Sequence, residues 1–199
     1  MYYYKTHILI LARVCVTCTL NPYVLCQALT AATWKTIIIL LSEESKLIAL
    51  ANDHTGVALK KEFIVLLKEM NLEYKDFGAM TEERTDYALY GYPAALAVAS
   101  GECEKGILVC GTGIGMSLTA NKVKGIRCAA CSDCYSAMFS RQHNNANMLA
   151  LGARIVGSGL AKMIVKMWLE TSFEGGRHQL RLDHINQIEA GKVEFLCKR

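Results

Sequence analysis

Two periods alternate along this chain from Lys46 onward, and few folds accommodate that alternation. Apolar runs at 47–51, 73–77, 106–109, 127–131 and 148–151 have strand length. Between the first two, Val57, Phe63, Leu66, Leu67 and Met70 recur at helical spacing. Residues 87–99, 116–123, 136–142 and 160–169 read as further helices, and 184–190 as part of a last one. Strands that alternate with helices form right-handed βαβ units, so the expected core is a parallel sheet covered on both faces. Ligands of such sheets bind outside the carboxyl ends of the strands. The residues to examine therefore follow the strands: Asn52, Asp53 and His54; Gly78; 110–115; Ser132 and Asp133; 152–154.

Composition changes near residue 45. Residues 1–41 are apolar and rich in aromatic, Cys and Thr residues, with Lys5, Arg13 and Lys35 interspersed. Residues 14–34 carry no charge and are long enough to span a bilayer, but Thr17, Thr19, Asn21, Pro22, Gln27, Thr30 and Thr33 make a poor span. A signal peptide would place Lys5 ahead of the run 8–11, yet Arg13 interrupts it. We expect 1–45 to be an N-terminal extension that adds nothing to the domain at 46–199. A targeting segment ranks second and a membrane anchor third. Of the whole chain, 52% is hydrophobic and 20% charged, which suits a buried core. The net charge of +4 is not gathered into a basic stripe, so no nucleic-acid partner is expected. Nine cysteines, mostly within apolar segments, do not read as a disulfide framework and suggest a reducing, cytoplasmic setting. Cys15 with Cys18, and Cys128 with Cys131 and Cys134, lack a matching second pair at zinc spacing, so no metal is expected.

The strongest local feature is the run Cys110, Gly111, Thr112, Gly113, Ile114, Gly115, which follows a strand and opens a helix. Consecutive backbone N–H groups at a helix start attract negative charge. No Lys-Ser/Thr pair follows, which excludes a P-loop, and the glycine spacing is wrong for a dinucleotide fingerprint. A thiol at a helix start tends toward thiolate, and a thiolate can serve as nucleophile or base. Used as a base it needs only a carbon acid and donors for the resulting oxyanion, which glycine amides supply. Asp53 can hold a substrate hydroxyl or cap a helix, and His54 beside it can bond a ring oxygen or phosphate. Arg141, Gln142, His143 and Asn144 are expected in a loop before the fifth strand, and Arg154 follows that strand. Arg177 and Arg181 share one face if the last helix has begun there, and two such arginines can clamp a phosphate.

These residues resemble the ribose-5-phosphate isomerase B family. The resemblance rests on the segments NDHTG at 52–56, ERTDY at 83–87, CGTGIG at 110–115, ANKV at 120–123, SRQHN at 140–144 and EGGRH at 174–178. It covers about residues 46–190, in order, and leaves the first 45 outside. The resemblance implies a Rossmann-like three-layer αβα sandwich with a five-stranded parallel sheet. It implies an aldose–ketose isomerase that interconverts ribose 5-phosphate and ribulose 5-phosphate through an enediolate, without cofactor. By matching motif, Cys110 would shuttle the proton, His143 would help open the furanose as acid, and Asp53 and His54 would contact the sugar. Gly111, Thr112, Gly113, Ile114 and Gly115 would hold the enediolate oxygens. Asn144, Arg154, Arg177 and Arg181 would contact substrate, with the arginines chiefly on phosphate. Relatives that use a Glu base carry it where this chain has Ile114, so the thiol branch applies. The family forms dimers or dimers of dimers with shared active sites. Competing readings are an isomerase of allose or galactose 6-phosphate, a non-catalytic sugar-phosphate-binding protein and a Cys hydrolase or transferase.

Overall fold

In a computed structural model that describes residues 47–193, five strands build one all-parallel sheet of order β2-β1-β3-β5-β4. They are β1 (Ile48–Asn52), β2 (Tyr74–Asp76), β3 (Lys105–Cys110), β4 (Cys128–Ala130) and β5 (Met148–Gly152). Six helices connect and follow them: α1 (Val57–Glu69), α2 (Ala88–Ala99), α3 (Ile114–Ala120), α4 (Cys134–Gln142), α5 (Ser158–Glu170) and α6 (Arg177–Glu189). The expected three-layer αβα sandwich is present. The readings of residues 1–45 as an extension, and of Cys15 and Cys18, lie outside the described residues. No helix among the described residues is long and apolar enough to cross a membrane.

Apart from Asn52 and Lys105 at two strand ends, the central strands are apolar because both faces are covered. Side chains alternate between the faces. Ile48, Leu50, Ile107, Val109, Leu149 and Leu151 join Phe63, Leu67, Ile164 and Trp168 beneath α1 and α5. Ala49, Ala51, Leu108, Cys110, Met148 and Ala150 join Ala94, Ala95, Met116 and Ala120 beneath α2 and α3. Small residues on that second face let α2 and α3 lie close to the sheet. Burial of one large apolar side chain contributes about 1.5–3 kcal/mol, so the first face carries most of the packing energy per residue.

Three boundaries differ from the sequence reading. Asp53 and Asp133 accept backbone N–H bonds from Thr55 and Ser136 at 2.8 and 2.7 Å, so helical turns begin directly after them. Arg141 and Gln142 complete α4, so the helical reading of 136–142 holds and the placing of this pair in a loop does not. The buried Arg141 guanidinium bonds the Ala146 carbonyl, the Asn145 side chain at 3.0 Å and the Thr171 carbonyl at 3.3 Å, and those bonds hold it in the helix. The last helix starts as early as Arg177.

Candidate active site

The chain departs from β1 toward β2 on one side and places β3 on the other, so the crevice between β1 and β3 is where a ligand is expected. Cys110 ends β3 there, 4% exposed. Its Sγ accepts a hydrogen bond from the Gly113 amide at 3.1 Å. Gly113 sits at φ 80°, a left-handed conformation that turns the backbone back over its own strand end. The Ile114 amide donates to Thr112 Oγ1 at 3.3 Å, and α3 begins at Ile114. The loop therefore sets the Gly113 amide against the sulfur at the start of α3.

The neighbouring strand ends are tied to this loop. The Asp53 amide donates to the Val109 carbonyl at 3.0 Å, and Asp53 Oδ1 accepts from Thr55 Oγ1 at 2.6 Å. The Ala153 and Arg154 amides donate to the Cys110 and Gly111 carbonyls at 2.8 and 3.1 Å. A methyl group on Gly111 would lie 3.8 Å from both Arg154 Cδ and Thr55 Oγ1, so these residues line one small space. His54 Nδ1 lies 3.1 Å from the Thr85 carbonyl oxygen, which fixes the imidazole against the loop before α2. Tyr87, at the end of that loop, packs on Gly115, where a Cβ would meet its ring at 2.8 Å.

His143 and Asn144 are not in this cluster. Register pairs Cys110 with Gly152 and Gly106 with Met148, and His143 and Asn144 precede Met148. They lie beyond the amino end of the sheet, separated from Cys110 by at least about 13 Å of strand, four residues at about 3.3 Å each. His143 caps α4 and stacks on His178 with ring centroids 4.0 Å apart and planes 8° from parallel. Glu174 Oε2 stands 3.8 Å from His143 Nε2 and 3.5 Å from His178 Nε2. Arg177 Nε and Arg181 Nη1 each come within 3.3 Å of a His178 nitrogen. Burial first, then the charges of His143, Arg177 and Arg181, push the His178 pKa down, against the opposing pull of Glu174. Asn144 is exposed, and its carbonyl accepts from Arg127 Nε at 3.1 Å.

The residues expected at the site thus fall into two clusters. Asp53, His54, Cys110, Gly111, Thr112, Gly113, Ile114, Gly115 and Arg154 share the carboxyl rim, whereas His143, Asn144, Arg177 and Arg181 share the amino rim. Tyr87 and Thr55 at the first rim, and Glu174 and His178 at the second, lie in segments that carry the resemblance but were assigned no individual role from sequence. Glu174 and His178 stand four residues apart, a spacing that could have flagged them. Among the described residues, His143, Glu174 and His178 are the group close enough to hold a metal, with ligand atoms within 4.8 Å. Coordination bonds lie in the imidazole plane, and an ion cannot lie in two parallel planes at once, so the stacked pair does not form a metal centre as it stands. Cys128 and Cys131 do not join them, and burial pushes their thiols up to about 12 and about 11.

Comparison with known proteins agrees with this fold. The family model described as Ribose/Galactose Isomerase matches residues 48–185. The chain is 54% identical over 144 residues to ribose-5-phosphate isomerase B of Escherichia coli (strain K12), covering 72% of this chain and 97% of that one. It is 50% identical over 143 residues to a putative sugar phosphate isomerase of Bacillus subtilis (strain 168), covering 71% and 96%. The solved structure of Clostridium thermocellum ribose-5-phosphate isomerase B superimposes with TM-score 0.72 at 49% identity, over 73% of this chain and 98% of that one. That of the Mycoplasma genitalium enzyme with bound ribulose-5-phosphate superimposes with TM-score 0.69 at 39% identity, over 72% and 96%. On sequence and fold together, the chain belongs to the ribose/galactose isomerase family.

Proposed function

We propose that this protein interconverts D-ribose 5-phosphate and D-ribulose 5-phosphate, with Cys110 as the base and with each active site assembled from two copies of the chain. The observation that carries the reading is the Cys110 thiol, set at a strand end under the Gly113 amide and beside Asp53. A hydrogen next to a carbonyl is a weak acid, so a positioned base and preorganised amides for the oxyanion together suffice. In the open-chain aldose, the Cys110 thiolate takes the proton on carbon 2. The C–H electrons become the C1–C2 double bond of the enediolate, and the former carbonyl oxygen takes up charge near the amides of 111–115. A proton passes from the 2-hydroxyl to O1, and as carbon 1 takes back the proton from Cys110 the electrons on O2 form the carbonyl at carbon 2, so no net oxidation occurs. Asp53 and Thr55 bind sugar hydroxyls. Thr112 and the loop amides bind the enediolate oxygens.

His143, Asn144, Arg177 and Arg181 complete the site from a second copy. Two features support this. Their own Cys110 lies at the opposite end of the sheet, out of reach of a substrate of five carbons. Several apolar side chains are also left outward: Leu89, Tyr92 and Leu96 on α2 are 66%, 50% and 44% exposed, and Leu180 and Ile188 on α6 are 61% and 51% exposed. An isologous pair would cover such faces and bring opposite rims together twice. The arginines then hold the phosphate, and binding energy gained far from the reacting carbons positions them. A cytoplasmic setting suits this substrate and the free thiols. A coupled assay of ribulose 5-phosphate formation from ribose 5-phosphate, run with EDTA, tests the reading. Conversion is expected, and its absence in a folded, assembled protein would refute it.

A further inference from the structure

Glu174 has no part in the roles assigned so far, yet it occupies a particular place. It stands in the segment between α5 and α6, and its amide donates to the Gln142 carbonyl at 3.0 Å, one residue before His143. Its Oε2 faces the Nε2 edges of both stacked imidazoles, at 3.8 and 3.5 Å. His178 is 3% exposed and held between the two arginines, so it cannot swing, and its ring forms a fixed platform for His143. Phe139 closes on the His143 ring from the preceding turn of α4, with centroids 4.5 Å apart. The His143 ring is therefore confined by Phe139 and His178, with a carboxylate opposite one nitrogen only.

We propose that Glu174 is a positioning residue that makes His143 the ring-opening group, an inference that rests on the isomerase reading above. The carboxylate opposite Nε2 favours a proton on that nitrogen and leaves Nδ1 to exchange a proton with the sugar. A carboxylate that orients an imidazole in this way fixes its tautomer without itself taking the proton. The separations exceed a hydrogen bond in the unliganded chain, and catalytic hydrogen bonds of this kind commonly tighten only with substrate bound. Ring opening balances as follows. The anomeric O–H loses its proton, the C1–O4 bond breaks as the C1 carbonyl forms, and O4 gains a proton.

The reaction offers a way to isolate this step. Ribose 5-phosphate is chiefly a furanose, whereas ribulose 5-phosphate is acyclic because its O5 carries the phosphate. Exchange of the carbon-1 hydrogen of ribulose 5-phosphate with deuterated water needs Cys110 and the arginines but no ring opening. In the full-length protein, Glu174→Gln should slow conversion of ribose 5-phosphate by about tenfold or more while carbon-1 exchange stays within about twofold. His143→Ala should show the same selectivity, and adding Glu174→Gln to it should cost nothing further, because the two act as a unit. Equal losses in both assays, an additional loss in the double variant, or no loss at all would overturn the proposal. An unmodified protein that neither converts nor exchanges would remove the isomerase reading, and this inference with it.

Discussion

Cys110 and Arg177 illustrate what single residues reveal. The place of the thiol was legible in sequence, since Cys110 ends a strand directly before the glycine turn that opens a helix. Cys110→Ala removes the proposed base and leaves the amides, Asp53 and the arginines in place. Isomerisation should fall by at least about 10²–10⁴-fold, the usual worth of a positioned acid–base group, while phosphosugar binding measured by calorimetry persists. Near-normal turnover would eliminate Cys110 as the base. Arg177 is exposed and points its Nε at His178, with no carboxylate partner in its hydrogen bonds. Arg177→Ala should raise the inorganic phosphate concentration needed for half inhibition, by about tenfold if a charge-assisted bond of about 1.5 kcal/mol is lost. Unchanged inhibition would take Arg177 out of the clamp. The surroundings of Glu174 were not legible at this scale, although it opens the EGGRH segment quoted for the resemblance. Only the fold brings it opposite two imidazoles.

At the scale of elements, the alternation of periods two and 3.6 made the order of strands and helices readable, and boundaries shifted by only a few residues. The sheet order was not readable. Nothing local says that β5 lies inside β4, because both are short apolar runs and their pairing follows from how α4 and α5 cross the sheet. The glycine turn was readable as a turn, but its contact with β5 was not. A Cβ on Gly113 would come 3.0 Å from the Leu151 carbonyl carbon, and φ is 80°. Gly113→Ala should therefore destabilise the fold by about 1–2 kcal/mol from the left-handed backbone alone, and by more if the loop shifts off Leu151. Urea unfolding reads the stability, and a parallel drop in kcat would show the amide moving from sulfur. An unchanged midpoint would mean the turn relaxes freely. The loop before α2 depends on a different anchor. Lys60 Nζ, 4% exposed, pairs with Asp76 at 2.8 Å and donates to the Ala79 carbonyl at 2.9 Å. Lys60→Met removes the cation from that carboxylate, which keeps only the Gly78 amide at 2.8 Å, and leaves the carbonyl with only the Asn52 side chain at 3.2 Å. It should cost about 2 kcal/mol, less than a fully buried pair because Asp76 keeps some solvent. It should also raise KM, as the loop carrying Thr85 and Tyr87 loosens over His54 and Gly115. A stability loss with KM unchanged would separate the anchor from the site.

For the whole molecule, the decisive fact is that the two clusters of expected site residues lie at opposite ends of one sheet. Sequence order hides this, because His143 is nearer to Arg154 in the chain than Cys110 is, yet it precedes β5 while Arg154 follows it. Only the direction of a strand separates them, and a motif search has no access to direction. Two copies related by a twofold axis would bring each carboxyl rim to the other's amino rim, which makes a complementation test possible. Cys110→Ala and His143→Ala should each be nearly inactive alone. Refolded together as an equal mixture, half of the dimers would pair one variant with the other, and one site in each such dimer would hold an intact Cys110 and an intact His143. About a quarter of the unmodified activity should return, as random pairing across an isologous interface requires. If both groups acted from the same chain, every site in the mixture would still lack one of them. A mixture as inactive as its components, with mixed dimers shown by native mass spectrometry, would therefore place the whole site on one chain and refute the shared arrangement.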